Sequence, residues 1–163
     1  MVDFPLRLTE LLDVSKMQDL VFAHHTSVGM PCGIVDASDG AVIAGAGWQK
    51  VCQEFHRKYP VSLARCQEAE RKLHSGNATD ESDVSKCGNG LREIGFPIMV
   101  RGVHMGTLFM GQFRYDDDID DTWFRAQADE MGCDVEAYLH ALGLVPRFSH
   151  AHVKDLVAYD KAF

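Results

Sequence analysis

The chain has 163 residues, of which 46% are hydrophobic and 25% charged, and its formal net charge is −8. These values predict one globular domain spanning residues 1–163. The excess of acidic over basic residues argues against direct nucleic-acid binding, because that affinity depends on Lys and Arg contacts to phosphates. The chain has no apolar run long enough for a membrane helix and no apolar centre of a signal peptide, so we expect a cytoplasmic protein without a membrane partner.

The N-terminal part predicts an amphipathic helix followed by a β-hairpin. Asp13 or Ser15 is a suitable helix cap, apolar residues then recur at helical spacing, and Gly29 stands where a helix usually ends. The strings CGIVDA (32–37) and AVIAGA (41–46) flank an Asp-Gly pair that is typical of a tight turn. They are predicted to form two antiparallel strands.

Two helices and a polar loop are predicted next. Pro60 separates the helices, because proline ends one helix and is accepted in the first turn of another. The first carries an apolar stripe at Trp48, Val51, Cys52, Phe55 and Tyr59, and the second one at Leu63, Cys66, Ala69 and Leu73. Residues 75–85 are polar and predict a loop that leads into the glycine-rich turn CGNG (87–90).

The second half of the chain predicts a long hairpin and three helices. Apolar residues alternate over 94–100 and 103–113, on either side of an Arg-Gly turn. The acidic run 116–121 suits a helix N-terminus, where the backbone dipole is positive. Further helices are expected over 134–142 and from 149 to the end. The last has an apolar strip of Val153, Leu156 and Val157 and no Gly or Pro stop, so we expect it to continue into another domain.

This order of elements predicts an α+β domain with a PAS- or GAF-like plan. Antiparallel strands are expected to cover one layer of helices, with an apolar pocket between the sheet and the helices. The plan alone leaves the function open, because one fold supports many activities.

Several strings together resemble the PocR sensory domain. They occur in the same order and cover nearly the whole chain: IVD (34–36), VCQEFHRKYP (51–60), RCQEA (65–69), KCGNGL (86–91), FPI (96–98), GTLFMGQF (106–113), ADEMG (128–132) and AYL (137–139). The acidic segment 77–83 departs from the family pattern, which has a hydrophobic strand there. If that segment shapes the pocket, the ligand preference differs from that of other members.

The resemblance implies a sensor and not an enzyme. PocR-like domains are PAS-like ligand-binding modules at the front of bacterial transcription activators and sensor histidine kinases. It therefore implies a small organic ligand, for which diols and hydrocarbons have been suggested in the family. It also implies a covalently linked output domain, reached through the terminal helices, and we expect self-association of these helices into a homodimer.

The cysteines allow several interpretations. Five cysteines without an export signal favour reduced thiols. Cys52 and His56 lie four residues apart on one helix face, and with Cys66 and Cys87 they supply three thiolates and one imidazole, which suits zinc or an iron–sulfur centre. The absence of any CxxC pair also permits buried core or pocket-lining cysteines, or thiols that pair under oxidation. A Cys–His nucleophile is the remaining alternative, although no catalytic signature accompanies it.

The predicted ligand pocket combines aromatic walls with a few polar contacts. Such a combination is typical of small-molecule sites. We expect walls from Trp48, Phe55, Phe96, Phe109 and Phe113, polar contacts from His56 and Gln112, and a contribution from Cys52, Cys66 and Cys87. Cys52, His56, Cys66 and Cys87 are predicted to converge in space.

Overall fold

The structure is a computed structural model that describes residues 6–74, 84–118 and 120–162. Most of the predicted loop 75–85, the acidic segment 77–83 and the final Phe163 lie outside the described residues. The helices are α1 (Leu8–Leu11), α2 (Val14–Val28), α3 (Pro60–His74), α4 (Asp121–Met131), α5 (Val135–Gly143) and α6 (His150–Ala162), with a π-helical turn at Cys52–His56. The strands are β1 (Cys32–Asp36), β2 (Val42–Ala46), β3 (Ser85–Lys86), β4 (Arg92–Val100), β5 (Val103–Tyr115) and β6 (Arg147–Phe148).

The helix ends follow from local capping chemistry, as predicted. The Asp13 side chain accepts a hydrogen bond from the Lys16 backbone N–H, and Asp120 and Asp134 cap α4 and α5 in the same way. Gly29 adopts the left-handed conformation, with φ 73°, that ends α2. These interactions join neighbouring residues only, which is why the sequence predicts them well.

The sheet has the strand order β2-β1-β5-β4-β3, and all of these neighbours are antiparallel. The two-residue strand β6 pairs with the end of β5 in parallel, and it was not predicted. Both predicted hairpins, β1–β2 and β4–β5, are present. The architecture is consistent with the predicted α+β, PAS/GAF-like fold.

The helices cover both faces of the sheet, which corrects the prediction of a single helical layer. The back face, which includes Ile34 and Met110, packs in one core with Val21 of α2 and Val153 of α6. The front face, which includes Phe109, faces the π-helical turn and α3. Alternate residues of a strand point to opposite faces, so both faces carry apolar side chains and both need cover.

The apolar strip of the last helix is buried inside its own domain. Val153, Leu156 and Val157 have exposed fractions of 1%, 7% and 4% and belong to the back-face core. The strip therefore packs inside its own domain without a second protomer, and self-association through the terminal helices stays a prediction. Its burial is explained by the parallel pairing of β6, which brings the start of α6 to the sheet.

A second core lies beside the sheet and supports the π-helical turn. Buried residues of α4 and α5, including Phe124, Tyr138 and Leu142, pack there against Val51 and Cys52. No helix in the described ranges is both long and apolar enough to cross a membrane.

Candidate functional site

A cavity of about 410 Å³ lies between the front face of the sheet, the π-helical turn and α3. We call it the front cavity. Its walls include Val35, Trp48, Cys52, Gln53, His56, Arg57, Cys66, Ala69, Glu70, Leu73, Cys87, Glu93, Phe109 and Gln112. The volume falls within the range of small-molecule sites, about 300–1,000 Å³.

One apolar wall of the front cavity is a stacked aromatic pair. The rings of Trp48 and Phe109 have centroids 5.4 Å apart and planes 19° apart. Gly33 and Gly45 pair in register on β1 and β2 beneath the indole. A Cβ atom at Gly45 would lie 2.5 Å from Trp48 Cζ2, and one at Gly33 would lie 3.2 Å from Trp48 Cη2. These glycines therefore let the indole lie flat against the sheet.

The π-helical turn places Cys52 and His56 in the wall of the front cavity. The Arg57 backbone N–H donates to the Cys52 carbonyl, five residues back, where an α-helix had been predicted. His56 Nε2 and the Tyr138 hydroxyl form a hydrogen bond of 3.0 Å, and His56 Nδ1 lies 3.7 Å from Cys52 Sγ. Burial lowers the pKa of His56 to about 4 and raises that of Cys52 far above its ordinary value. The pair is therefore a thiol beside a neutral imidazole.

A buried amide network contacts Cys66 and anchors the glycine-rich turn that carries Cys87. Asn89 Nδ2 donates to the Ser62 carbonyl at 2.8 Å and to Cys66 Sγ at 3.2 Å. Asn89 Oδ1 accepts from Gln127 Nε2 at 2.9 Å, which ties the glycine-rich turn to α4. Burial raises the pKa of Cys66, and it raises that of Cys87 to about 11. Both side chains are therefore thiols at neutral pH.

The close approach of the glycine-rich turn to α3 depends on Gly88. A Cβ atom there would lie 2.9 Å from the Cβ of Arg65. Because Gly88 has no Cβ, the turn packs directly on the helix and Cys87 reaches the cavity wall.

Glu93 is the main feature of the site that the sequence interpretation missed. Its side chain lines the front cavity, and the residue is only 9% exposed. Burial, with a smaller contribution from the neighbouring Glu70, raises its pKa from the usual 4.5 to about 7. Arg57, the basic residue that acts on Glu93 electrostatically, forms an ion pair with Glu70 instead. Within the described part of the chain, the Glu93 carboxyl has no hydrogen bond of its own.

A β-bulge directs both Glu93 and Gln112 to the front cavity. In register, Arg92 faces Phe113 and Glu93 faces Gly111, so Gln112 is an extra residue on β5. Gly111 permits the close approach of β4 and β5 at the bulge, because a Cβ there would lie 2.6 Å from the Arg92 carbonyl oxygen. Gln112 Oε1 accepts from the Gln49 backbone N–H at 3.2 Å. The Gln112 side chain is thereby fixed at the cavity wall.

Most of the predicted site residues meet at the front cavity. Trp48, Cys52, His56, Cys66, Cys87, Phe109 and Gln112 line it. Three predicted aromatic residues lie elsewhere. Phe55 packs edge-on against Tyr138 in the second core, Phe113 is buried beside Phe148 in the back-face core, and Phe96 lines another cavity on the back face.

The four predicted ligands offer the donor atoms of a zinc or iron–sulfur site. Cys52, His56, Cys66 and Cys87 share one cavity. In the described ranges, however, no three His, Cys, Asp or Glu side chains lie close enough together to hold one metal ion. This arrangement does not fit either centre.

Comparison with known proteins identifies the family of the chain. No curated protein and no solved structure gives a significant match. A family model described as the sensory domain found in PocR matches residues 10–163. This range contains the whole sheet, the front cavity and every helix except the start of α1. The chain therefore belongs to the family of PocR sensory domains.

Proposed function

We propose that this sensory domain binds a small, neutral organic molecule in the front cavity. The observation that carries the proposal is the buried carboxyl of Glu93, which shares the cavity with the stacked rings of Trp48 and Phe109. A binding site for a small molecule needs apolar walls together with a few polar groups that orient the ligand. A cavity of about 410 Å³ supplies both.

The polar groups favour a ligand with at least one hydroxyl or amide group. A carboxyl with a pKa of about 7 donates a hydrogen bond when protonated and accepts one when ionised. Glu70 is already neutralised by Arg57, so the described residues of the wall offer no second free charge to pair with an ionic ligand. A ligand with an apolar part on Trp48 and Phe109 and a hydroxyl group at Glu93 meets both requirements.

A Cys-dependent enzyme has less support from the geometry. A nucleophilic cysteine needs a lowered pKa or an imidazole poised to accept its proton. Here burial raises the pKa of Cys52 and lowers that of His56, so a thiolate–imidazolium pair is disfavoured. The sensory family also favours binding without turnover.

The other alternative is a redox sensor that holds zinc or an iron–sulfur centre. Only the shared location of Cys52, His56, Cys66 and Cys87 speaks for it. Elemental analysis of protein purified without oxygen tests it directly. Stoichiometric zinc or iron that is lost in Cys66→Ser would replace the organic-ligand proposal.

A thermal-shift screen tests the organic-ligand proposal. Neutral diols and amides are added to the protein, and a ligand of the folded state at a hundredfold excess over Kd stabilises it by about 2.7 kcal/mol. Phe109→Leu should weaken a hit of the front cavity, because the change removes half of the aromatic wall. Phe96→Leu is the matched control, since Phe96 lies on the opposite face of the same sheet. Equal effects of the two variants, or steady conversion of a hit to product, would contradict the proposal.

The signalling role extends the same proposal. We place the domain in a cytoplasmic transcription regulator or sensor histidine kinase, as the family resemblance and the five free cysteines favour. Because α6 packs on the sheet, a ligand-induced shift of the strands would reach an output domain through that helix. A homodimer needs a surface other than the buried strip of α6. Sedimentation with and without a hit tests both the dimer and its coupling to the ligand.

A further inference from the structure

A second cavity, of about 670 Å³, lies on the back face of the sheet between α2 and α6. We call it the back cavity. Apolar side chains form most of its walls: Leu20, Val21, Val28, Ile34, Phe96, Ile98, Leu108 and Met110. The strands separate it from the front cavity, because residues at odd and even positions of β1 point to opposite faces. Nothing in the proposed function uses this space.

A polar pair stands among these apolar walls. His24 of α2 and Asp160 of α6 both line the back cavity, and His24 Nε2 lies 3.2 Å from Asp160 Oδ1. The Asp160 side chain is only 5% exposed. In the described part of the chain, the second atom of each group, His24 Nδ1 and Asp160 Oδ2, is buried without a hydrogen-bond partner. Buried polar groups in folded proteins are nearly always paired, so this site calls for a partner.

The chemistry of the pair selects the head group of that partner. A carboxylate would meet the negative charge of Asp160, and an ammonium group would meet the positive charge of the neighbouring Lys161. A hydroxyl group carries no charge and is both a donor and an acceptor, so it matches a carboxylate oxygen and an imidazole nitrogen together. The walls require the rest of the molecule to be apolar.

We propose that the back cavity is a second binding site, which takes an aliphatic alcohol. The hydroxyl group lies at His24 and Asp160, and the alkyl chain lies along the back face towards Phe96 and Ile98. A bound alcohol would contact both α2 and α6, so it would stabilise the packing of the first long helix against the last one. The site is independent of the proposed function of the front cavity.

Isothermal titration calorimetry with 1-hexanol tests this site in the whole chain. Asp160→Asn should weaken binding on the order of tenfold, because it replaces a charged acceptor by a neutral amide of the same size. Ala23→Phe should weaken binding on the order of tenfold, because Ala23 is an exposed position of α2 that lines the cavity and a phenyl group there occupies part of the space. Hexylammonium and hexanoate should each bind at least about tenfold more weakly than 1-hexanol.

The controls separate the two cavities. Phe109→Leu should leave the affinity of the site that Asp160→Asn and Ala23→Phe weaken within about twofold, because the Phe109 side chain faces the front cavity. Loss of binding in Phe109→Leu but not in Ala23→Phe would place the alcohol in the front cavity and overturn the proposal. The proposal would also be overturned if 1-hexanol did not bind the wild type, or if the charged analogues bound with equal affinity. It would be overturned as well if the wild type formed a dimer that Ala23→Phe disrupts and bound no alcohol, because the groove would then be a protein interface. None of these results bears on diol binding in the front cavity.

Discussion

Trp48 stacks on Phe109, and the indole lies flat against the paired glycines of β1 and β2. The stack joins the loop after β2 to the central strand β5. Any side chain at Gly45 would have to displace the indole, since its Cβ would lie 2.5 Å from Trp48 Cζ2. The aromatic wall of the front cavity thus depends on a residue that has no side chain.

Gly45→Ala should therefore destabilise the protein by about 1–3 kcal/mol, the usual cost of overpacking. Urea unfolding measures the change in the free energy of unfolding. Gly143→Ala is the matched control, because a Cβ at this helical position meets nothing within 4 Å. The control should leave the free energy of unfolding unchanged or raise it by up to about 1 kcal/mol. Equal losses in the two variants would contradict the account of the stack.

Glu93→Gln should change the pH dependence of stability. The folded state holds the Glu93 proton up to a pKa of about 7, whereas the unfolded state loses it near the usual 4.5. The wild-type contribution of Glu93 is therefore complete below pH 4.5 and is lost as the pH rises to about 7. Above pH 7 the variant should be more stable than the wild type by on the order of 1–3 kcal/mol, and near pH 4.5 the two should agree.

His56 has the opposite pH dependence in the same range. Its pKa is lowered from 6.5 to about 4, so its contribution is complete above pH 6.5 and is lost as the pH falls to about 4. In the wild type, the two groups change the free energy of unfolding with pH in opposite directions. In Glu93→Gln, only the contribution of His56 remains. Urea unfolding at pH 4.5 and pH 8 checks this. The exposed control Glu136→Gln should show no such change, and a pH-independent effect of Glu93→Gln would contradict burial of an ionisable carboxyl.

Tyr138→Phe should destabilise the domain by about 1–3 kcal/mol. The change keeps the ring but removes the hydroxyl group that pairs with the buried His56 Nε2. Tyr59→Phe is a matched control in the same core, because the Tyr59 hydroxyl has no hydrogen bond within the described residues. Thermal unfolding of both variants distinguishes the two positions. Similar midpoints for them would show that the His56–Tyr138 hydrogen bond contributes little.

The sequence predicted elements whose signals are local. The caps at Asp13 and Asp134, the left-handed end at Gly29 and both hairpins depend on residues within a few positions of each other. The family resemblance rested on motifs that contain Cys52, His56, Cys66 and Cys87. The structure brings all four residues to the front cavity.

The parts that the sequence did not predict depend on register. Phe109 and Phe113 alternate in sequence as if they shared a face, but the extra residue Gln112 reverses the alternation and sends Phe113 to the back-face core. The apolar alternation that predicted β4 begins at Ile94, which belongs to the back-face core. It therefore gave no signal for Glu93, which points to the other face of the same strand. The burial of α6 depends on β6, whose two residues carry no periodic signal.

Fluorescence of Trp48 during titration with a hit from the neutral-ligand screen tests the central claim most directly. Trp123, the other tryptophan, is first changed to Phe, so that Trp48 is the sole indole and reports from the front cavity. A saturable change in emission, with the Kd found by calorimetry and weakened in Glu93→Gln and Phe109→Leu, is the predicted result. Calorimetric binding of the hit without any change in Trp48 emission, and with unchanged affinity in both variants, would contradict the claim.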